Sequence, residues 1–271
     1  MRNRFTDELA VCGFNAVVAA IEHNPDNINR LFLREDRLKS LTGICKQLAE
    51  RKRPYKLCED DELEKICKSS HHQGVVAMLY APQLAPLGRE DLEQWAVNGS
   101  TGLVLHSVGN DHNLGAIVRS AAFFDAPIIV ISEDDPGAQL TTSAYRIAEG
   151  GMEHVRPFTV QNTAAFLKDA SRVLVTVGAE SRARQRIQDL PDIVREHGAR
   201  LKKASGRPQT ERPGVAIVLG NEETGLPREV RDSCSFLVRI PGTGVMDSLN
   251  VAQAATLFLN QLFNEPPAKT G

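Results

Sequence analysis

The chain has 271 residues, 42% of them hydrophobic, with 20 glycines and 14 prolines, which is the composition of a globular protein with room for one large or two ordinary domains. Its formal net charge of -2 excludes a global basic field, so a nucleic-acid partner would have to be met by local patches. Cys12, Cys45, Cys58, Cys67 and Cys234 have no C-x-x-C or Cys/His spacing, which argues against a zinc site and for a reduced, cytoplasmic protein.

In chain order, Arg2 and Arg4 precede an apolar run from Leu9 to Ile21 that superficially resembles a signal peptide. Asp7 and Glu8 interrupt the charged region and Gly13-Phe14-Asn15 breaks the run, so mature structure is expected. Short apolar segments at Ile28 to Leu33 and Gly74 to Tyr80 alternate with helical periodicity at Ala16 to Glu22 and Leu41 to Arg51, predicting a small α/β domain over residues 1–80. Within it Arg30, Arg34, Arg37, Lys39, Lys46, Arg51, Lys52, Arg53 and Lys56 face three acids, a strip suited to phosphates. His71 and His72 are adjacent, so their side chains diverge and no metal is predicted.

Pro82, Pro86 and Gly88 mark residues 81–95 as a linker. Beyond it, Val/Ile/Leu-rich runs recur at Gly102 to Val108, Ile128 to Ser132, Val173 to Val177, Val215 to Leu219 and Phe236 to Ile240. Runs of that length and continuity suit strands covered on both faces, so residues 96–264 are expected to form a doubly wound parallel-sheet domain, followed by a flexible tail at 265–271. No stretch approaches the roughly 20 apolar residues of a membrane span. The segment Arg182 to Arg212 carries nine cations against four acids and is either a solvated excursion or a contact for RNA backbone.

Ligands of such sheets bind beyond the carboxyl ends of the strands, and three of the loops there are unusual. After the first run come Asn113, Gly115 and Arg119, on a helix whose apolar face is Leu114, Ile117, Val118 and Ala121. Asn113 is placed to cap that helix, and Arg119 points off the apolar face, where it could also be an ordinary surface charge. After Val215 to Leu219 comes Gly220-Asn221-Glu222-Glu223-Thr224-Gly225, which has neither the lysine of a phosphate loop nor dinucleotide spacing. Glu222 suits an arginine, with Arg119 the candidate partner. After the last run, Pro241-Gly242-Thr243-Gly244 leads to Ser248, the expected cap of an alanine-rich helix.

In this order and at these separations the three loops resemble the signature motifs of the SpoU (TrmH-type) branch of the SPOUT methyltransferases. Asn113, Gly115 and Arg119 match N-x-G-x-I/L-x-R-S/T-A. Gly220, Glu222 and Gly225 match G-x-E-x-x-G, and Ile240, Ser248, Leu249 and Asn250 match the third motif, where Pro241-Gly242 departs from the I-P-M of many members. The N-terminal region is similar, more loosely, to the family's RNA-binding extension, a small α/β fold like that of certain ribosomal proteins, through Gly13 to Val17 and His72 to Gly74.

The resemblance implies a trefoil-knotted domain and a homodimer packed through its first and last helices. It implies S-adenosylmethionine held by backbone near Gly220, Ile240 and Leu249, and methyl transfer to a ribose 2'-hydroxyl of tRNA or rRNA. Asn113, Arg119, Glu222, Ser248 and Asn250 are then the catalytic candidates, with Arg119 read as a clamp on phosphate and developing oxyanion because guanidinium is a poor base. Two rivals remain at this stage: a catalytically silent RNA-binding protein that keeps the knot as a scaffold, and a base-modifying enzyme, for which no distinctive acid or nucleophile stands out.

Overall fold

The computed structural model describes residues 2–3, 8–133, 137, 139–205 and 212–263. The expected tail at 265–271 and Arg207 of the basic segment lie outside them. Two compact units divide the chain: Met1–Gln83 with Asn110–Arg119 and Ala138–Val155, and Leu84–Gly109 with Ser120–Gly137 and Arg156–Gly271.

The first unit holds strands β1 (Arg2–Asn3) and β2 (Glu8–Cys12), helix α1 (Phe14–His23), β3 (Ile28–Leu33), α2 (Glu35–Leu38), α3 (Thr42–Glu50), β4 (Tyr55–Leu57), α4 (Asp60–Cys67) and β5 (Val75–Tyr80). The strands form one sheet in the order β1-β2-β5-β3-β4, antiparallel except for β3 and β4. β2 is buried along its whole length, and Leu9 to Cys12 read as a continuous apolar run after the buried Glu8. Ala10, Cys12, Val76 and Met78 share a core with Leu63 and Cys67 of α4, while α1 packs on β2 and β5 with Ala16, Val17, Ala20 and Ile21 buried. The apolar run from Leu9 to Ile21 is therefore a strand, a turn at Gly13 with φ 95, and a helix.

Of the expected connection at 81–95, only part is irregular. Ala85–Pro86 is β6, and α5 (Arg89–Asn98) begins where the Gly88 amide donates to Asp91 at 3.0 Å. Pro86 is tolerated because β6 is the sheet's last strand. Trp95 is fully buried and sits over Gly102, where a Cβ would lie 2.6 Å from its ring.

From there the chain runs through β7 (Thr101–Leu105), α6 (Asp111–Phe123), β8 (Ile128–Ser132), α7 (Thr142–Ala148), β9 (Arg156–Val160), α8 (Thr163–Ala170), β10 (Val175–Ala179), β11 (Gln185–Arg186), α9 (Leu190–Ser205), β12 (Val215–Leu219), α10 (Arg228–Asp232), β13 (Phe236–Arg239) and α11 (Val251–Leu262). The second unit's sheet has eight parallel strands in the order β11-β13-β10-β12-β7-β8-β9-β6. Three expected strands shift at their ends. β7 stops at Leu105 because Ser107 turns left-handed at φ 57, and β10 starts at Val175 because the amides of Val173 and Leu174 still bond the Ala170 carbonyl of α8. The last strand ends at Arg239, one residue early. β9 was not foreseen, since Pro157 speaks against a strand; its outer neighbour β6 is two residues long, so little of the ladder is lost.

Among the described residues no helix is long and apolar enough to cross a membrane, and no group of three or more His, Cys, Asp or Glu is placed to hold a metal. All five cysteines are unpaired.

Candidate active site

β13, β10, β12 and β7 are parallel neighbours, so the segments that follow Arg239, Ala179, Leu219 and Leu105 leave the sheet at one edge. From β7 the chain builds outward through β8 and β9, then crosses to β10, and β12 fills the place between β10 and β7. Reversals of this kind open a crevice for a ligand.

The loops at this edge are built differently. After β7, the His106 amide donates to the Leu219 carbonyl at 2.9 Å, and its buried imidazole Nδ1 pairs with the Thr163 hydroxyl at 3.0 Å. After β12, a Cβ on Gly220 would fall 2.5 Å from the Gly225 carbonyl, so only glycine permits the turn to fold back on itself. Asn221 organises that turn. Its side-chain oxygen accepts from the amides of Glu223 and Thr224 at 2.9 and 3.2 Å, and its side-chain nitrogen donates to the Ser107 carbonyl at 3.1 Å, tying the loops after β7 and β12 together. Glu222 is half-buried in the same turn.

The loop after β13 is open. Every residue from Pro241 to Asn250 is exposed, including Val245 at 85%, Met246 at 76% and Leu249 at 45%, and nothing lies within 4 Å of a Cβ built on Gly242. Gly220 lies in the closed turn after β12, Ile240 directly follows β13, and Leu249 lies in the exposed loop. Ser248 does not cap the following helix, as the sequence led us to expect. α11 starts at Val251 and its cap is Asn250, whose side chain accepts from the Ala252 amide at 2.9 Å.

Asn113 and Arg119 belong to the first unit, on α6. The helix begins one turn earlier than expected: Asn110, not Asn113, accepts from the His112 amide at 2.8 Å, which leaves Asn113 half-buried inside the first turn. Leu114, Ile117, Val118 and Ala121 are all buried, as their spacing predicts. Gly115 lets α7 approach, since a Cβ there would lie 2.6 Å from the Ala144 carbonyl. Arg119 has 59% of its side chain exposed, and its Nη2 lies 3.3 Å from Glu149 Oε2. Glu149 carries no local signal in the sequence; Asn221 has one, an asparagine two residues after a strand in a G-N-x-x-x-G turn.

The basic strip of the first unit is partly neutralised by acids, some near in sequence and some remote. Arg30 meets Glu8 at 2.5 Å, Arg34 meets Asp36 at 2.6 Å and Asp60 at 3.0 Å, Arg51 pairs with Asp26 and Lys56 with Glu62. The Arg34 guanidinium holds Asp36 below the usual carboxylate range. Lys39, Lys46, Lys52 and Arg53 have no acidic partner among the described residues, and Arg53 stacks over Tyr80 at 5.7 Å.

A parallel sheet that gathers glycine- and asparagine-built loops at its switch point defines a doubly wound α/β ligand-binding enzyme. Residues 100–260 match the SpoU rRNA methylase family, and residues 10–85 match the RNA 2'-O ribose methyltransferase substrate-binding family. The chain is 30% identical over 267 residues to the 23S rRNA (guanosine-2'-O-)-methyltransferase RlmB of Nitrosomonas europaea, covering 96% of this chain and 93% of that protein. It is 31% identical over 255 residues to RlmB of Acinetobacter baylyi, covering 91% and 93%. In fold it resembles the SpoU methyltransferase AviRb from Streptomyces viridochromogenes, solved in complex with the cofactor AdoMet, with a TM-score of 0.72, 20% identity and coverage of 96% and 92%. The chain belongs to the SpoU rRNA methylase family.

Proposed function

We propose that this protein transfers a methyl group from S-adenosylmethionine to a ribose 2'-hydroxyl of ribosomal RNA. The observation that carries this reading is similarity along nearly the whole chain to proteins named as 23S rRNA 2'-O-methyltransferases, together with the retained Asn113, Arg119, Glu222, Ser248 and Asn250. Those relatives favour ribosomal over transfer RNA and speak against a silent scaffold. Residues 1–80 serve as the RNA substrate-binding domain, 81–95 as the connection, 96–264 as the methyltransferase domain and 265–271 as a tail. Lys39, Lys46, Lys52 and Arg53 are the strip's cations best placed to meet phosphate.

Further parts of the reading follow the family: a trefoil knot in the catalytic domain, a homodimer through α6 and α11, and a cytoplasmic location. Phe123 on α6 and Leu257 on α11 are 78% and 41% exposed, and such a dimer would cover them. Unpaired cysteines agree with a reducing compartment.

The bound sulfonium supplies an activated methyl group. Backbone around Gly220, Ile240 and Leu249 holds the cofactor, and Asn113, Ser248 and Asn250 position ribose and cofactor. A guanidinium does not give up its proton in proteins, so Arg119 is not the base. It grips the substrate phosphate and the oxygen as negative charge develops there, and the hydroxyl proton departs late to a neighbouring group or water.

Incubation with tritiated S-adenosylmethionine and unmethylated ribosomal RNA, followed by nucleoside analysis, tests the reaction. Label in a 2'-O-methylnucleoside is expected; label on a base, or none, overturns it. Arg119→Lys keeps the charge and loses the planar fork, so it should cost ~3 kcal/mol of transition-state stabilisation, about a hundredfold in kcat, with cofactor affinity unchanged. A lysine acting as base would recover activity as pH rises. A clamp would not.

A further inference from the structure

Arg119 is paired with an acid that none of the three motifs supplies. Its Nη2 lies 3.3 Å from Glu149 Oε2, with 59% and 42% of the two side chains exposed. An ion pair this wet adds little to stability. Its value to the fold does not explain where Glu149 sits.

That place is conformationally costly, as is that of Lys68 at the end of α4. Glu149 closes α7 at φ 46 and ψ 45, a left-handed conformation that helix ends normally give to glycine. The next residue, Gly150, also has positive φ, at 93, and a Cβ on it would lie 2.8 Å from Ala19 Cβ and 3.3 Å from the Asn15 carbonyl, so the chain is pressed against α1 here. On its other side α7 is fixed to α6. Gly115 admits the Ala144 carbonyl, and Asp111 accepts from the Thr141 hydroxyl at 2.8 Å and the Gln139 amide at 3.2 Å. Arg119 stands one helical turn beyond Gly115, where the end of α7 comes level with it. A glycine position thus holds a strained glutamate whose carboxylate meets the candidate clamp. Such strain persists where the surroundings enforce it, and it concentrates at functional sites.

We propose that Glu149 is a positioning residue for Arg119: its carboxylate selects the rotamer in which the guanidinium presents paired N–H groups to the RNA, without touching the RNA itself. This rests on Arg119 being the clamp.

The test uses the full chain with Glu149→Gly and Glu149→Gln. Glycine relieves the left-handed strain, so Glu149→Gly should melt at the wild-type temperature or above while kcat falls tenfold or more and cofactor affinity stays the same. In both variants Arg119 should react faster with phenylglyoxal, followed by mass spectrometry of its peptide. In an Arg119→Lys background, Glu149→Gln should change kcat by less than twofold. Unchanged kcat and unchanged Arg119 labelling in Glu149→Gln would overturn the proposal. So would a raised kcat, which would make Glu149 a brake, or a Glu149→Gly variant that melts well below wild type. If the wild-type protein transfers no methyl group, the clamp reading fails by itself, and the labelling rates still decide whether Glu149 holds Arg119.

Discussion

The turn after β12 and the loop after β13 leave the same sheet edge, and both are spelled with glycine. In the turn, Gly220 is there because a Cβ would strike the Gly225 backbone at 2.5 Å, and Asn221 locks the shape with three hydrogen bonds. In the loop, Gly242 has open space around it and all of Pro241 to Asn250 is exposed. One segment is finished by its own contacts. The other is left open to solvent. The same letter in two motifs therefore stands in two physical settings, a turn where the protein itself excludes a side chain and a loop where nothing does.

Three substitutions sharpen this contrast. Gly220→Ala should have the largest effect on stability, roughly 3 kcal/mol, because the Cβ meets backbone that cannot rotate away. A denaturation midpoint close to wild type would mean the turn is not the closed one described. Asn221→Ala should cost about 1–2 kcal/mol, less than the sum of its bonds, since the freed Glu223 and Thr224 amides are at the surface and can be rehydrated. Thermal melting reads it, and a cost of zero would leave the loops after β7 and β12 independent of each other. Gly242→Ala should change stability by no more than about 0.5 kcal/mol. Its effect belongs to calorimetry with S-adenosylmethionine, where weaker binding is expected from a methyl group placed in the approach to the backbone. Wild-type affinity would show that the cofactor does not come near Gly242.

Much of this arrangement is legible in the sequence, because it depends on short-range order. β8, β12 and β3 follow from continuous or regularly spaced Val, Ile and Leu, and the buried face of α6 follows from Leu114, Ile117, Val118 and Ala121 at helical spacing. The candidate residues of the three loops are picked out by their match to the SpoU signature motifs, since local chemistry alone leaves Asn113 and Ser248 as helix caps and Arg119 as a surface charge. What the tertiary structure decided are the choices among near-equal local options. Asn110 and Asn113 can each cap α6, as Ser248 and Asn250 can each cap α11, and the winner depends on where packing of the buried face sets the first turn. β9 forms despite Pro157 because its outer neighbour β6 is only two residues long, so a missing amide costs little of the ladder. Acids distant in sequence pair with Arg30, Arg34 and Arg51 of what looked like a basic strip, and Glu149 reaches Arg119 from another helix. Ion pairs and caps of this kind are worth little each, so they leave no pattern in the chain; they are set by whichever backbone the larger apolar burial brings within reach.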